Sequence, residues 1–152
     1  MHRLSGIFFA LIFWGTVSVS AQKSTIYNSS LKDFETAVSL YNAGQYASAK
    51  FVFDRVKTNS LSQELQSDCL YYTAMCAIHE RQPIGGSLME RFVLEYPTST
   101  KKNQGVVEIG HSYFQQENYE KALSWYEKVD EMYLAANESE KYNFQKGYSF
   151  FI

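Results

Sequence analysis

Apolar residues recur at three- and four-residue intervals along most of this chain, the spacing of one helix face. Leu31, Phe34, Val38 and Tyr41 form the first stripe, and Gly44 suits the left-handed residue that closes a helix. Tyr46, Ala49, Phe53 and Val56 form the second stripe, so residues 31–57 predict a pair of antiparallel helices. A second pair is predicted over residues 67–97. Its first helix carries Leu70, Thr73, Ala74 and Ala77, and its second carries Leu88, Met89, Phe92 and Val93. Pro97 stops it, because proline disfavours helical geometry in the preceding residue. The third pair has Val106, Ile109, Gly110, Tyr113 and Phe114 on one helix, and Tyr119, Ala122, Tyr126 and Val129 on the other. Glu117-Asn118 is the turn between them, with Asn118 as the helix cap. A last helix is predicted after Asn137-Glu-Ser-Glu140, a variant of the capping-box start. It runs through Phe144 and Gly147.

The pairs repeat. Tyr46-Ala47-Ser48-Ala49 lies over Tyr119-Glu120-Lys121-Ala122 at an offset of 73 residues, which leaves room for one intervening repeat. Gly110-His-Ser-Tyr-Phe114 lies over Gly147-Tyr-Ser-Phe-Phe151 at an offset of 37. Two prolines and eight glycines in 152 residues suit helices better than a turn-rich β fold.

The unit Ile109-Gly110-x-x-Tyr113 … Tyr119-Glu120-Lys121-Ala122-x-x-x-Tyr126 resembles a tetratricopeptide repeat, a helical hairpin of about 34 residues. The resemblance implies that small Gly110 and Ala122 let the two helices approach, while Ile109, Tyr113 and Tyr126 fill the space between them. In the second repeat Gly85 and Gly86 fall where an alanine is usual. The expected fold is all-α: a tetratricopeptide-like solenoid of about three hairpins plus one terminal helix over residues 31–152, right-handed by resemblance. Residues 89–97 are similar to the helix ending of periplasmic repeat proteins of the Gram-negative envelope. Together with the N-terminal segment, this resembles exported repeat proteins of the Bacteroidetes.

That N-terminal segment reads as a secretory signal over residues 1–21. His2 and Arg3 precede the apolar run from Ile7 to Trp14, and Val19-Ser20-Ala21 offers small residues for cleavage before Gln22. The run is shorter than the roughly 20 apolar residues that span a bilayer. The expected location is therefore the periplasm or outer membrane of a Gram-negative bacterium, with no integral membrane segment after cleavage. Residues 22–30 read as a flexible polar lead. The net charge of −2 and the scattered basic residues argue against nucleic acid as a partner.

No catalytic constellation assembles, and neither a cofactor nor a metal is expected. Cys69 and Cys76, seven residues apart on one helix, are separated by about 10.5 Å of rise. A disulfide needs Cα atoms within about 7 Å, so both read as buried apolar residues. Cys76 with His79 supplies two of the ligands a metal would need, and only a remote case for a thiol hydrolase. Gly85-Gly86 lacks the flanking pattern of a phosphate loop and reads as a loosened helix start or a close helix crossing.

The expected function is protein binding by a non-catalytic scaffold or adaptor of the cell envelope. Its particular forms are a subunit of an outer-membrane or secretion assembly, or a cell-wall adaptor that recruits an enzyme. By resemblance, the first helix of each hairpin lines a concave groove. The candidate groove residues are Phe34, Tyr41, Asn42, Leu70, Gln104, His111, Phe114, Lys141, Phe144 and Tyr148. The aromatic end at Tyr148, Phe150 and Phe151 predicts further repeats, or a partner, covering the last helix.

Overall fold

The computed structural model describes residues 17–152, with side chains from residue 28 onward. The expected signal segment lies mostly outside the described residues. Seven α-helices follow one another: α1 (Val17–Asn42), α2 (Tyr46–Asn59), α3 (Gln63–His79), α4 (Gly85–Glu95), α5 (Lys102–Gln115), α6 (Tyr119–Tyr126) and α7 (Ala136–Phe151). A short 3-10 turn, Glu131–Tyr133, links the last two. Each helix packs on its neighbour in sequence, so the chain is a stack of three hairpins plus one helix. There is no strand among the described residues, and the fold is the all-α helical-hairpin solenoid expected.

Three short turns join the paired helices by one device. Gly44, Arg81 and Glu117 all adopt positive φ, at 74°, 55° and 58°. At each, the left-handed residue's amide bonds back to one carbonyl, and the next amide bonds to the carbonyl before that. Gly44 N–H donates to Tyr41 O and Gln45 N–H to Leu40 O; Arg81 and Gln82 do the same to Ile78 and Ala77. Glu117 and Asn118 repeat it on Phe114 and Tyr113. These are Schellman closures, which satisfy helix-end carbonyls otherwise left unpaired. Asn118 then caps α6, its side chain accepting from Lys121 N–H at 3.3 Å, as expected.

The core repeats with the same period. Ala49, Gly85 and Ala122 are buried at equivalent places on the second helices, 36 and 37 residues apart, with buried Phe53, Met89 and Tyr126 one turn later. Gly85 lies against α3: a methyl group there would fall 2.8 Å from Ile78 Cγ1. Gly85-Gly86 is therefore a close helix crossing. At Gly110 an added methyl would collide with the ring of Tyr126, so glycine is required for that ring to reach α5. Between hairpins, Lys101 pairs with Asp68 at 2.8 Å; within the third, Asn103 makes two hydrogen bonds to the backbone of Asp130, just beyond α6.

Four element bounds differ from expectation. Residues 22–30 are not a separate flexible lead but the continuation of α1, which meets neither glycine nor proline from Val17 to Asn42. α3 starts at Gln63, four residues before the expected start, capped by Ser62, which accepts from Leu65 N–H. α6 ends at Tyr126, so Val129 lies beyond it, yet it still packs against the core. α7 starts at Ala136, so Asn137 sits inside its first turn. Glu138 accepts from Ala135 N–H, supplying the reciprocal bond that was assigned to Glu140.

A left-handed backbone costs a non-glycine residue about 1 kcal/mol or more. Arg81→Gly and Glu117→Gly are therefore expected to raise the unfolding free energy by up to about 1 kcal/mol each, less what glycine loses through unfolded-chain entropy. Chemical denaturation of the two variants measures this; destabilisation by both would contradict the turn assignment.

Candidate functional site

The first helices of the units, α1, α3, α5 and α7, bring a polar and aromatic strip together on one side of the stack. Glu108 of α5 is its electrostatic centre. Burial raises its carboxyl above the usual range, while the Lys141 charge and a hydrogen bond from Gln104 at 3.3 Å pull it back. Burial also raises the phenols of Tyr41, Tyr71 and Tyr126, and the charge of Glu108 adds to each shift. One carboxylate thus senses groups from α1, α3, α6 and α7. Lys141 and Asn42 are exposed, while Gln104 and Tyr41 are half-buried.

Behind the strip lies a closed hydrogen-bond chain. The Tyr126 hydroxyl donates to Gln145 Oε1 at 2.7 Å. It has a single proton, so His111 Nδ1, also 2.7 Å away, must be the donor to it. His111 is therefore held neutral with its proton on Nδ1. Burial, then the Lys141 charge, lower its pKa to about 4.

Two aromatic clusters mark the turn edge. Tyr41 meets Tyr46 and His79, and its hydroxyl bonds His79 Nε2 at 2.8 Å. Phe114 meets Tyr119 and Tyr148 edge-on. Two clefts, about 570 and 660 Å³, open on this edge. Arg81, Gln82 and Ser112 line the first, and their equivalents Glu117, Asn118 and Ser149 line the second.

Four expected groove residues do not belong to an accessible groove. Leu70 is 1% exposed, inside the central apolar cluster with Phe92 and Ile109. His111 is 4% exposed, beneath the Tyr126 hydroxyl. Phe34 packs edge-on against Phe53 and Tyr72, so it joins α1 to α2 and α3. Phe144 is exposed and lies about 160° around α7 from buried Tyr142 and about 140° from buried Ser149, on the side that carries Gly147. In each case the helix faces a neighbour, or open space, where the inner surface was expected. The structure keeps Tyr41, Asn42, Gln104, Lys141 and Tyr148 accessible, with Phe114 half-buried. It adds Glu108 and Gln145, both half-buried. The four-residue spacing of Gln104 and Glu108 was the available signal for Glu108.

The cysteines are structural. Cys69 and Cys76 are fully buried and free. Burial pushes the Cys69 thiol up to about 12 and the Cys76 thiol up to about 11, away from thiolate chemistry. His79 is engaged by Tyr41 and stacks on Tyr46. No group of three potential metal ligands occurs among the described residues. No described helix is long and apolar enough to cross a membrane.

This geometry defines a helical-hairpin solenoid with an inner strip built by several helices. Residues 106–135, covering most of α5, all of α6 and the 3-10 turn, match the family model described as tetratricopeptide repeat. The match supports that family, whose repeats generally mediate protein–protein interaction. No curated protein matches the chain at a significant level.

Two outcomes are expected. A histidine with a depressed folded pKa favours folding fully above its unfolded pKa of about 6.5, and this contribution is lost as pH falls towards about 4. Stability should therefore fall by about 3 kcal/mol at most over that window, and His111→Gln should flatten the fall, as read by denaturation from pH 4 to 7.5. Second, a thiol-specific chromogenic disulfide should label the native chain at least about 100-fold more slowly than the unfolded chain; fast labelling of both thiols would contradict their burial.

Proposed function

We propose that this protein is a non-catalytic interaction scaffold of the cell envelope, holding a segment of another protein along the inner strip. The observation that carries this reading is the strip itself: accessible Tyr41, Asn42, Gln104, Lys141 and Tyr148 come from three separate units. A segment spanning them would meet a carboxylate at Glu108, an ammonium at Lys141 and tyrosine rings between. That combination suits an extended or helical segment that is apolar with a few charges. The envelope location rests on the signal-like residues 1–21.

A photo-crosslinking residue at position 104 should capture a discrete protein from the envelope fraction. Replacing Tyr41, Lys141 and Tyr148 together with alanine should cut the yield by about tenfold or more, with the circular dichroism unchanged. Undiminished capture by that variant would rule out the inner strip. An alkaline phosphatase domain fused after residue 30 should be active; an inactive, intact fusion would rule out export.

A further inference from the structure

The inner strip carries the repeat in its polar residues. Ser67 and Tyr71 of α3, Gln104 and Glu108 of α5, and Lys141 and Gln145 of α7 are pairs one helical turn apart, at places that recur every 37 residues. Gln145 is satisfied within the fold, accepting from the Tyr126 hydroxyl at 2.7 Å. Glu108 is not. It is half-buried, accepts a hydrogen bond from the neutral amide of Gln104 at 3.3 Å, and belongs to none of the four ion pairs among the described residues. The Lys141 ammonium acts on it from a distance, and the Glu138 carboxylate opposes that charge. Two carboxylates against one ammonium leave this part of the strip negative. The neighbouring Ser67 hydroxyl is buried and makes no hydrogen bond among the described residues. Polar groups left short of partners in this way are uncommon in a packed fold and concentrate at sites that receive a ligand.

We propose that Glu108 receives a lysine or arginine side chain of the segment held along the inner strip, the cation pairing with its carboxylate. This rests on the strip being the protein-binding surface, and it fixes the chemistry of what binds there. The Gln104 amide engages Oε1, so Oε2 remains for an incoming N–H donor. A carboxylate partly withdrawn from water gains more from a paired cation than one at the surface does. Tyr41 of α1 and Tyr71 of α3 both sense the Glu108 charge, so aromatic rings flank the position. Ring faces attract an ammonium or guanidinium group. An apolar segment laid over Glu108 would remove its remaining water and leave the charge unpaired, and an acidic one would add repulsion. The strip therefore selects against both.

The test uses the whole chain and a phage-displayed library of random linear peptides. Peptides retained by the chain and lost on the Tyr41/Lys141/Tyr148 triple alanine variant are strip ligands, and they should share one lysine or arginine. In labelled synthetic peptides read by fluorescence anisotropy, alanine in place of that residue should weaken binding at least about tenfold. Glu108→Gln keeps the shape and the acceptor for Gln104. It should weaken the parent peptide by the same factor and hardly change the alanine peptide, which is the pattern of a coupled pair. This variant should be at least as stable as the parent to chemical denaturation at neutral pH, because a neutral amide replaces a carboxylate that burial disfavours when ionised. Marked destabilisation would make Glu108 a structural group and overturn the proposal. Glu120→Gln, at an exposed carboxylate of α6, should change affinity less than about twofold; a loss equal to that of Glu108→Gln would mean general attraction to an acidic chain and overturn it as well. Strip ligands without a shared basic residue, or losses from the two changes that simply add, overturn the proposal and leave the strip as the binding surface. A library that yields no strip ligand removes both.

Discussion

Close approach of the two helices in each hairpin is the constraint on which this fold depends. A small residue on one helix and a bulky one on the other make a joint that cannot be widened without opening a void. Gly110 with Tyr126 is the tightest example, since no side chain fits between them. The ring does more than fill space: its hydroxyl reaches past α5 to Gln145 of α7 and to His111. One interlock inside a hairpin thus also fixes the next unit against it. Similar joints recur at intervals of 36 or 37 residues, so the stack is quasi-one-dimensional, each unit resting on its neighbours.

Much of this was legible in the sequence. The alternation of small and aromatic residues from Ile109 to Val129 names the third hairpin without help. Gly44 announces its turn, because glycine is the residue expected at positive φ. Arg81 and Glu117 adopt the same conformation and carry no such sign, so the common construction of the three turns could be seen only in the structure. The start of α7 was misplaced for a related reason. Asn137 looks like a cap by composition, but the bond that defines the start is made by Glu138 to the backbone of Ala135.

The inner strip was harder to read than the fold. A helix in a stack has a face towards its own partner, one towards the preceding hairpin and one inward, and these lie within a turn of one another. Periodicity locates apolar residues but does not say which of the three they serve. Leu70 and His111 were assigned to the inner face and belong to the packed interior. Glu108 does not stand out in the sequence, because a carboxylate at a helix surface usually faces solvent. Only the arrival of Tyr71, Lys141 and Tyr126 from other helices makes it the centre of a site.

If the chain is exported as proposed, its two buried thiols set a kinetic condition on biogenesis. In an oxidising compartment an exposed cysteine is open to cross-linking for as long as the chain is unfolded. Cys69 and Cys76 lie on α3, whose inward face is sealed by α2. Their protection therefore requires the first hairpin and α3 to dock, and does not wait for the later units. Contacts between adjacent helices are local in sequence, and folds of that kind form quickly. The order of the repeats along the chain thus places its most vulnerable atoms where the earliest packing can enclose them.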